Sequence, residues 1–116
     1  MKVLLRAVAH SRSGDKGNIS NITVIAYNDI FYEFIKKQIT SKKVAKHFAG
    51  VIKGSIIRYH IDRLCVLNFV CSDALDGGVS RSLRLDSYGK SLSSAILTMK
   101  LEIPDSLENK IFPLHN

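Results

Sequence analysis

The apolar and polar positions of the N-terminal part of the chain predict two strands followed by a helix. Leu4–Ala9 and Ile22–Tyr27 are short runs rich in Val, Ile, Leu and Ala, which are typical of strands. The polar stretch His10–Asn18 between them contains two glycines, and it predicts a loop. Beyond the second strand the apolar spacing becomes helical, and Asn28 or Asp29 can cap the first turn. The apolar positions of this helix are Ile30, Phe31, Phe34 and Ile35.

The next segment predicts a second helix and a third strand. The helix begins at Thr40 or Ser41, carries Val44 and Phe48 on one face, and has a stop signal at Gly50. Residues 55–61 then alternate as a strand does. The apolar side of that strand carries Ile57, Tyr59 and Ile61, and the other side carries Arg58 and His60.

The segment that follows fits two structures. A helix with a cap at Asp62 and an exit at Gly77-Gly78 would place four apolar residues three or four positions apart. They are Leu64, Leu67, Cys71 and Leu75. A buried strand through Val66–Val70 fits as well, but the spacing favours the helix.

The C-terminal third predicts one more strand and one more helix. Val79–Asp86 alternates and predicts a strand, whereas Leu92, Ala95, Ile96 and Met99 have helical spacing. This order of elements favours an α+β fold, a ferredoxin-like sandwich of about four mostly antiparallel strands with helices on one face. We expect a single domain over residues 1–103 and a mostly polar C-terminal tail over 104–116.

Composition excludes several classes of protein. The chain has 116 residues, of which 46% are hydrophobic, so it can bury a core without disulfides or a structural metal. No apolar run approaches the roughly 20 residues of a membrane-spanning helix, and Lys2 and Arg6 make the N-terminus a poor signal peptide. Cys65 and Cys71 are too few for a disulfide scaffold, which predicts free thiols and a cytoplasmic location. Because the four histidines lack ligand spacing, we expect no metal and no cofactor.

The formal charge of +7 is concentrated in one segment. No acidic residue lies between Glu33 and Asp62, whereas residues 36–58 carry seven Lys and Arg. The simplest interpretation of this basic 36–58 block is a solvated helix face. Binding to nucleic acid is a less favoured hypothesis, because the block lacks the exposed aromatic residues on which single-stranded bases stack.

The polar stretch between the first two strands is the first candidate site. Two glycines, Gly14 and Gly17, would let the backbone present several N–H groups to a phosphate or carboxylate. The cations Arg12 and Lys16, with Ser13 between them, would add charge-assisted contacts to the same anion. A purely structural connection between strands is the alternative. The candidates for proton transfer are His10 and Asp15.

Two further cations are candidate anion ligands. Gly89-Lys90-Ser91 resembles part of a P-loop, but Arg84 stands where that motif requires its first glycine, so this route to nucleotide hydrolysis is excluded. Lys90 then marks only a helix start that suits an anion. Arg81 falls on the apolar side of its predicted strand, and it either pairs with Asp15 or Asp73 or reaches a ligand.

Several of these motifs resemble one known family. It is the ferredoxin-fold domain found at the C-terminus of the acyclic terpene utilisation protein AtuA and in separate AtuA-related small proteins. The similarity extends from about residue 3 to about residue 100 and implies a ferredoxin-like fold. The matching segments are His10–Asn18, Val44–Gly50, Leu67–Phe69, Gly77–Asp86 and Gly89–Ser94.

The resemblance also implies a functional setting, although it carries over no catalytic residues. We expect a small cytoplasmic subunit that works with an AtuA-like large subunit, or self-associates, in acyl-CoA or terpenoid-type carboxylate catabolism. Its ligand would be a CoA ester or another phosphate or carboxylate. The alternatives are a non-catalytic assembly module and, less favoured, a nucleic-acid-binding protein that uses the 36–58 block.

Overall fold

The structure is a computed structural model that describes residues 1–73 and 92–115, with the backbone alone for residues 112–115. Its strands are β1 (Lys2–Leu4), β2 (Ala9–Lys16), β3 (Ile19–Ala26), β4 (Ile56–Ile61), β5 (Val66–Ser72) and β6 (Lys100–Glu102). The α-helices of the described residues are α1 (Asp29–Gln38), α2 (Ser41–His47), α3 (Leu92–Ile96) and α4 (Glu108–His115). Short 3-10 turns span Leu5–Ala7, Asp62–Leu64 and Asp105–Leu107.

Four of the strands form one antiparallel sheet in the order β2-β3-β5-β4, and β1 pairs with β6 in a separate small sheet. Helices α1, α2 and α3 pack on one face of the four-stranded sheet. Alternation along each strand directs every second side chain toward those helices and into the core. Those core residues of β3 and β5 are Ile22, Val24, Leu67, Phe69 and Cys71, all at most 1% exposed. The α+β, ferredoxin-like prediction is therefore confirmed.

The predicted starts of the first two helices are confirmed by their capping hydrogen bonds. The Asn28 side chain accepts a hydrogen bond from the amide of Ile30, and the Thr40 hydroxyl accepts one from the amide of Lys43. Each bond satisfies a backbone N–H that has no partner within its helix. Sequence and local structure agree here because capping depends only on neighbouring residues.

The prediction of a loop over residues 10–18 is wrong. Strand β2 continues through Lys16, and Gly17-Asn18 alone form the turn into β3. Gly17 has a φ of +63°, which suits the first central position of a type II′ hairpin turn. The outer half of β2, from Arg12 to Lys16, is exposed on both sides of the strand, which suits its polar residues.

The preferred helix over residues 62–77 is also wrong for its described part. Residues 66–72 form the inner strand β5, which pairs with β3 on one side and β4 on the other. The buried residues are Leu67, Phe69 and Cys71, a period of two, whereas Leu64 is 61% exposed. The first predicted strand is interrupted as well, because a 3-10 turn at Leu5–Ala7 separates β1 from β2.

The C-terminal segment beyond β6 packs on the rest of the domain. The predicted strand at 79–86 lies outside the described residues. After β6, the segment from Asp105 onward is helical, and Ile111 is buried in the same core as the sheet. Within residues 1–73 and 92–115, no helix is both long and apolar enough to cross a membrane.

Candidate functional site

The face of the four-stranded sheet opposite the helices is the principal candidate site, and we call it the open face. Its members follow from strand alternation and from the register of the sheet, in which His10 lies opposite Ile25 and Ile25 opposite Val66. It comprises His10, Arg12, Gly14, Lys16, Ile19, Asn21, Thr23, Ile25, Ile57, Tyr59, Ile61, Val66, Asn68, Val70 and Ser72.

Apolar side chains are concentrated along one edge of the open face. On the edge strand β4, Ile57, Tyr59 and Ile61 are 48%, 55% and 46% exposed. Val70 and Val66 lie beside them on β5 and are half-buried. A contiguous exposed apolar patch of this kind is typical of a surface that binds another molecule.

Positive charge is concentrated along the opposite edge, on β2. Arg12 and Lys16 are both exposed there, and neither forms an ion pair with another residue that the structure describes. Thr23 and Asn68 lie between Arg12 and Tyr59, and the Asn68 amide donates a 2.9 Å hydrogen bond to the Thr23 hydroxyl. The open face thus combines an apolar edge with a cationic edge, and its described members include no carboxylate.

His10 lies at one end of the open face and has an unusual environment. Its ring meets that of Tyr27 edge-on at 5.3 Å, and Tyr27 is itself 48% exposed. The Nε2 atom of His10 is buried and has no hydrogen-bond partner within the described part of the chain. Buried polar atoms nearly always have a partner, so an unpartnered one calls for an explanation.

Asp15, the other predicted proton-transfer residue, lies on the helix-facing side of β2. Its Oδ1 accepts a 2.6 Å hydrogen bond from the hydroxyl of the fully buried Ser20. Ser11 lies on the same side, since its hydroxyl donates to the carbonyl of Ser93 in α3. His10 and Asp15 therefore project from opposite faces of the sheet.

The glycines do not form the predicted nest of backbone N–H groups. Gly14 lies in extended strand, where successive N–H groups point in opposite directions, and a Cβ at this position would meet no atom within 4 Å. Gly17 serves the turn. The sequence signal for this arrangement was the Gly17-Asn18 pair, which is typical of a two-residue hairpin. Arg12 and Lys16 remain predicted anion contacts through their side chains alone.

The remaining predicted site residues are Ser13, Arg81 and Lys90. Ser13 alternates onto the helix-facing side with Asp15, away from Arg12 and Lys16. Arg81 and Lys90 lie outside the described residues, so their predicted anion contacts stay predictions.

A separate polar cluster surrounds Asp62 at the end of β4. Its carboxylate accepts hydrogen bonds from the hydroxyl of Tyr32 at 2.7 Å and from Lys36, and it lies 2.9 Å from Nδ1 of His60. These donors, led by Tyr32, lower the pKa of Asp62 to about 2. Burial and the neighbouring carboxylate raise the pKa of Tyr32 above its ordinary value. Sequence analysis did not single out this cluster, whose partners lie on different elements.

Within the residues described, no group of three or more His, Cys, Asp or Glu side chains is placed to hold a metal ion. An antiparallel sheet with helices on one face defines the class of the protein, a ferredoxin-like α+β domain. The chain belongs to the AtuA ferredoxin-like domain family, whose model matches residues 3–102. No significant match to the chain was found among curated proteins or among solved structures.

Proposed function

We propose that this domain docks through its open face on an AtuA-like large subunit in the catabolism of acyl-CoA or terpenoid-type carboxylates. The single observation that carries the proposal is the half-exposed row Ile57, Tyr59 and Ile61 on an edge strand. Covering such a row removes apolar surface from water at roughly 25 cal/mol per Å². In this proposal, Arg12 and Lys16 contact a carboxylate or phosphate at the border of the interface.

The positive charge of the open face favours a different protein as the partner, and not a second copy of this chain. The described members of the open face include two cations and no carboxylate, and the whole chain carries a formal charge of +7. A second copy would bring the same cations to the interface. A partner with carboxylates around an apolar surface would instead neutralise them, and it would associate faster through electrostatic attraction.

The second candidate function is a non-catalytic assembly module, and the placement of the proton-transfer candidates favours it. His10 and Asp15 lie on opposite faces of β2, and Asp15 is bonded to Ser20, so the two do not form an acid–base pair on one face. In this version the motif residues of β2 form part of the interface and the large subunit supplies the chemistry.

The experiment is co-purification of the tagged chain from its native host, followed by identification of the bound protein. We expect capture of a protein that contains an AtuA-like large domain. The double variant Ile57→Ser/Tyr59→Ser should lower the captured amount at least tenfold. The control Ile30→Ser changes an exposed apolar residue of α1, away from the open face, and should capture the partner normally.

Two outcomes would contradict the proposal. One is a chain that sediments only as a 12.9 kDa monomer at tens of micromolar and captures no protein. The other is a partner that the double variant still retains at the wild-type level. Thermal melts of all variants show whether a loss of capture reflects a loss of folding.

A further inference from the structure

A cleft on the helix side of the molecule carries a second concentration of positive charge. It lies between α2 and the turn that joins α3 to β6, is open to solvent, and has a volume of about 640 Å³. We call it the lysine cleft; it is lined by Lys43, Lys46, His47, Thr98, Met99 and Lys100. Since α2 packs on the helix-facing side of the sheet, the cleft is separate from the open face.

Two lining residues of the lysine cleft, His47 and Thr98, are held in place by hydrogen bonds. Nε2 of His47 lies 3.0 Å from the carbonyl oxygen of Ala95 and 3.1 Å from the hydroxyl of Thr98. That hydroxyl donates to the same carbonyl at 2.7 Å. Because a carbonyl oxygen only accepts, His47 presents a proton on Nε2 in this contact. Met99 is 7% exposed and its carbonyl accepts from the amide of Leu5.

Among the residues that the structure describes, no negative charge compensates the three lysines of the cleft. Lys43 and Lys46 lie one turn apart on α2, and Lys100 faces them from the start of β6. All three are exposed, and within residues 1–73 and 92–115 none of them forms an ion pair and no carboxylate lines the cleft. Like charges converging on one cavity repel each other, so an anion placed between them is attracted by all three.

Other cations of the basic 36–58 block lie outside the lysine cleft. Lys36 pairs with Asp62 at 3.0 Å, and the Arg58 guanidinium donates to the carbonyls of Lys36 and Ile39 at the end of α1. Lys37 lies in another hollow, which also contains Glu33. The block is therefore divided among separate surfaces and does not form one continuous stripe.

We propose that the lysine cleft binds the phosphate groups of a small phosphorylated molecule. Three cations match a group of two or more negative charges, such as a phosphate monoester or a diphosphate, better than one carboxylate. Lysine commonly binds phosphate as a point charge. Met99 is buried at the wall of the cleft, and the part of its side chain that lines the cleft gives the remainder of such a ligand an apolar contact.

The geometry favours a small ligand over a nucleic acid. Proteins that bind single strands use a basic groove that follows the backbone, with aromatic residues on which bases stack. The lysine cleft is a single concave site, and the only aromatic side chain among its described lining residues is that of His47.

The test is calorimetric titration of the full chain with inorganic pyrophosphate, and in parallel with ADP, at constant ionic strength. Wild type should bind both saturably. Lys46→Gln and Lys100→Gln should each weaken binding about tenfold, as expected for loss of one hydrogen bond to a charged group. Lys37→Gln, which removes an equal charge from the same block outside the cleft, should leave the affinity within about twofold.

Three results would overturn the proposal. The first is an absence of saturable binding to wild type at millimolar probe, and the second is a loss of affinity in Lys37→Gln as large as in the cleft variants. The third is a single-stranded oligonucleotide that binds more tightly than ADP and loses affinity equally in all three variants. Amide chemical-shift perturbations locate the binding site, since binding should perturb Thr98 and Lys100 more than residues of β4.

Discussion

The hydroxyl of Tyr32 donates a 2.7 Å hydrogen bond to Asp62, which joins α1 to the end of β4 across thirty positions of sequence. Lys36, one turn further along α1, adds an ion pair to the same carboxylate. Tyr32 is 4% exposed, so its ring belongs to the core while its hydroxyl reaches the surface cluster. The contact anchors the edge strand that carries the apolar part of the open face.

The first prediction concerns the pH dependence of stability. The folded-state pKa of Asp62 is about 2, below its ordinary value of 3.8, so its ionised form stabilises the fold above about pH 4. That contribution is lost as the pH falls from about 5 toward 2. Asp62→Asn should therefore melt at a lower temperature than wild type at pH 7, and the difference should shrink by pH 2. Thermal melts by circular dichroism measure both, and a difference independent of pH would contradict the assignment.

The second prediction contrasts the two glycines of the hairpin. Gly17 has a φ of +63°, a backbone conformation that costs other residues about 1–3 kcal/mol, so Gly17→Ala should destabilise the protein by roughly that amount. Gly14 lies in extended strand with open space at its Cβ, so Gly14→Ala should be neutral or stabilising by up to about 1 kcal/mol. Urea denaturation gives the two free energies of unfolding. Equal destabilisation by both substitutions would show that Gly14 is needed for another reason.

The third prediction concerns the reactivity of the two cysteines, which are both free. Cys71 is fully buried, and burial raises its pKa to about 11, whereas Cys65 is half-buried. Because the thiolate is the reactive form, Cys65 should react first with a thiol reagent at pH 8, and Cys71 should react only on unfolding. Timed labelling with mass spectrometry measures the order. Rapid labelling of Cys71 in the folded protein would contradict this burial.

The fourth prediction is that Lys16 contributes to ligand binding whereas its neighbour Asp15 contributes to stability. Lys16→Ala should change stability by less than about 0.5 kcal/mol, because the side chain is exposed. If the open face binds an anion, the same change should weaken binding of a short-chain acyl-CoA about 10- to 150-fold. Asp15→Ala should do the opposite. It removes the acceptor of the buried Ser20 hydroxyl, so it should cost about 1–3 kcal/mol of stability and leave binding unchanged.

Thermal melts with and without acetyl-CoA distinguish these outcomes, and sulfate at equal ionic strength is the control. Stabilisation of wild type by acetyl-CoA but not by sulfate supports an anion site of defined shape. The structural alternative predicts no ligand-induced shift in wild type and a loss of stability in Lys16→Ala. Arg12→Ala should follow Lys16→Ala in either case, because both lie on the same face of β2.

Local sequence signals were sufficient to predict α1, α2 and the side-chain alternation of β4. Capping by Asn28 and Thr40 depends on contacts two or three residues away, and the chain supplies them directly. The same alternation could not tell which side of β4 faces the helices. Arg58 lies on the helix side and caps the carbonyls of α1, whereas the apolar Tyr59 is exposed. An arginine can be accommodated there because α1 ends with unpaired carbonyl oxygens at the right place.

The sequence by itself determined the α+β class, the family resemblance, the first two helices and the two free thiols. Only the tertiary structure decided that residues 66–72 are a strand, since a short apolar run satisfies both periods until β3 and β4 supply its hydrogen bonds. Only the tertiary structure showed that His10 and Asp15 lie on opposite faces of the sheet. Pairing with β3 holds residues 9–16 in an extended strand, in which positions 10 and 15 point to opposite sides. Only the tertiary structure places Lys100 beside the same cleft as Lys43 and Lys46, because more than fifty residues separate Lys100 from them in the sequence.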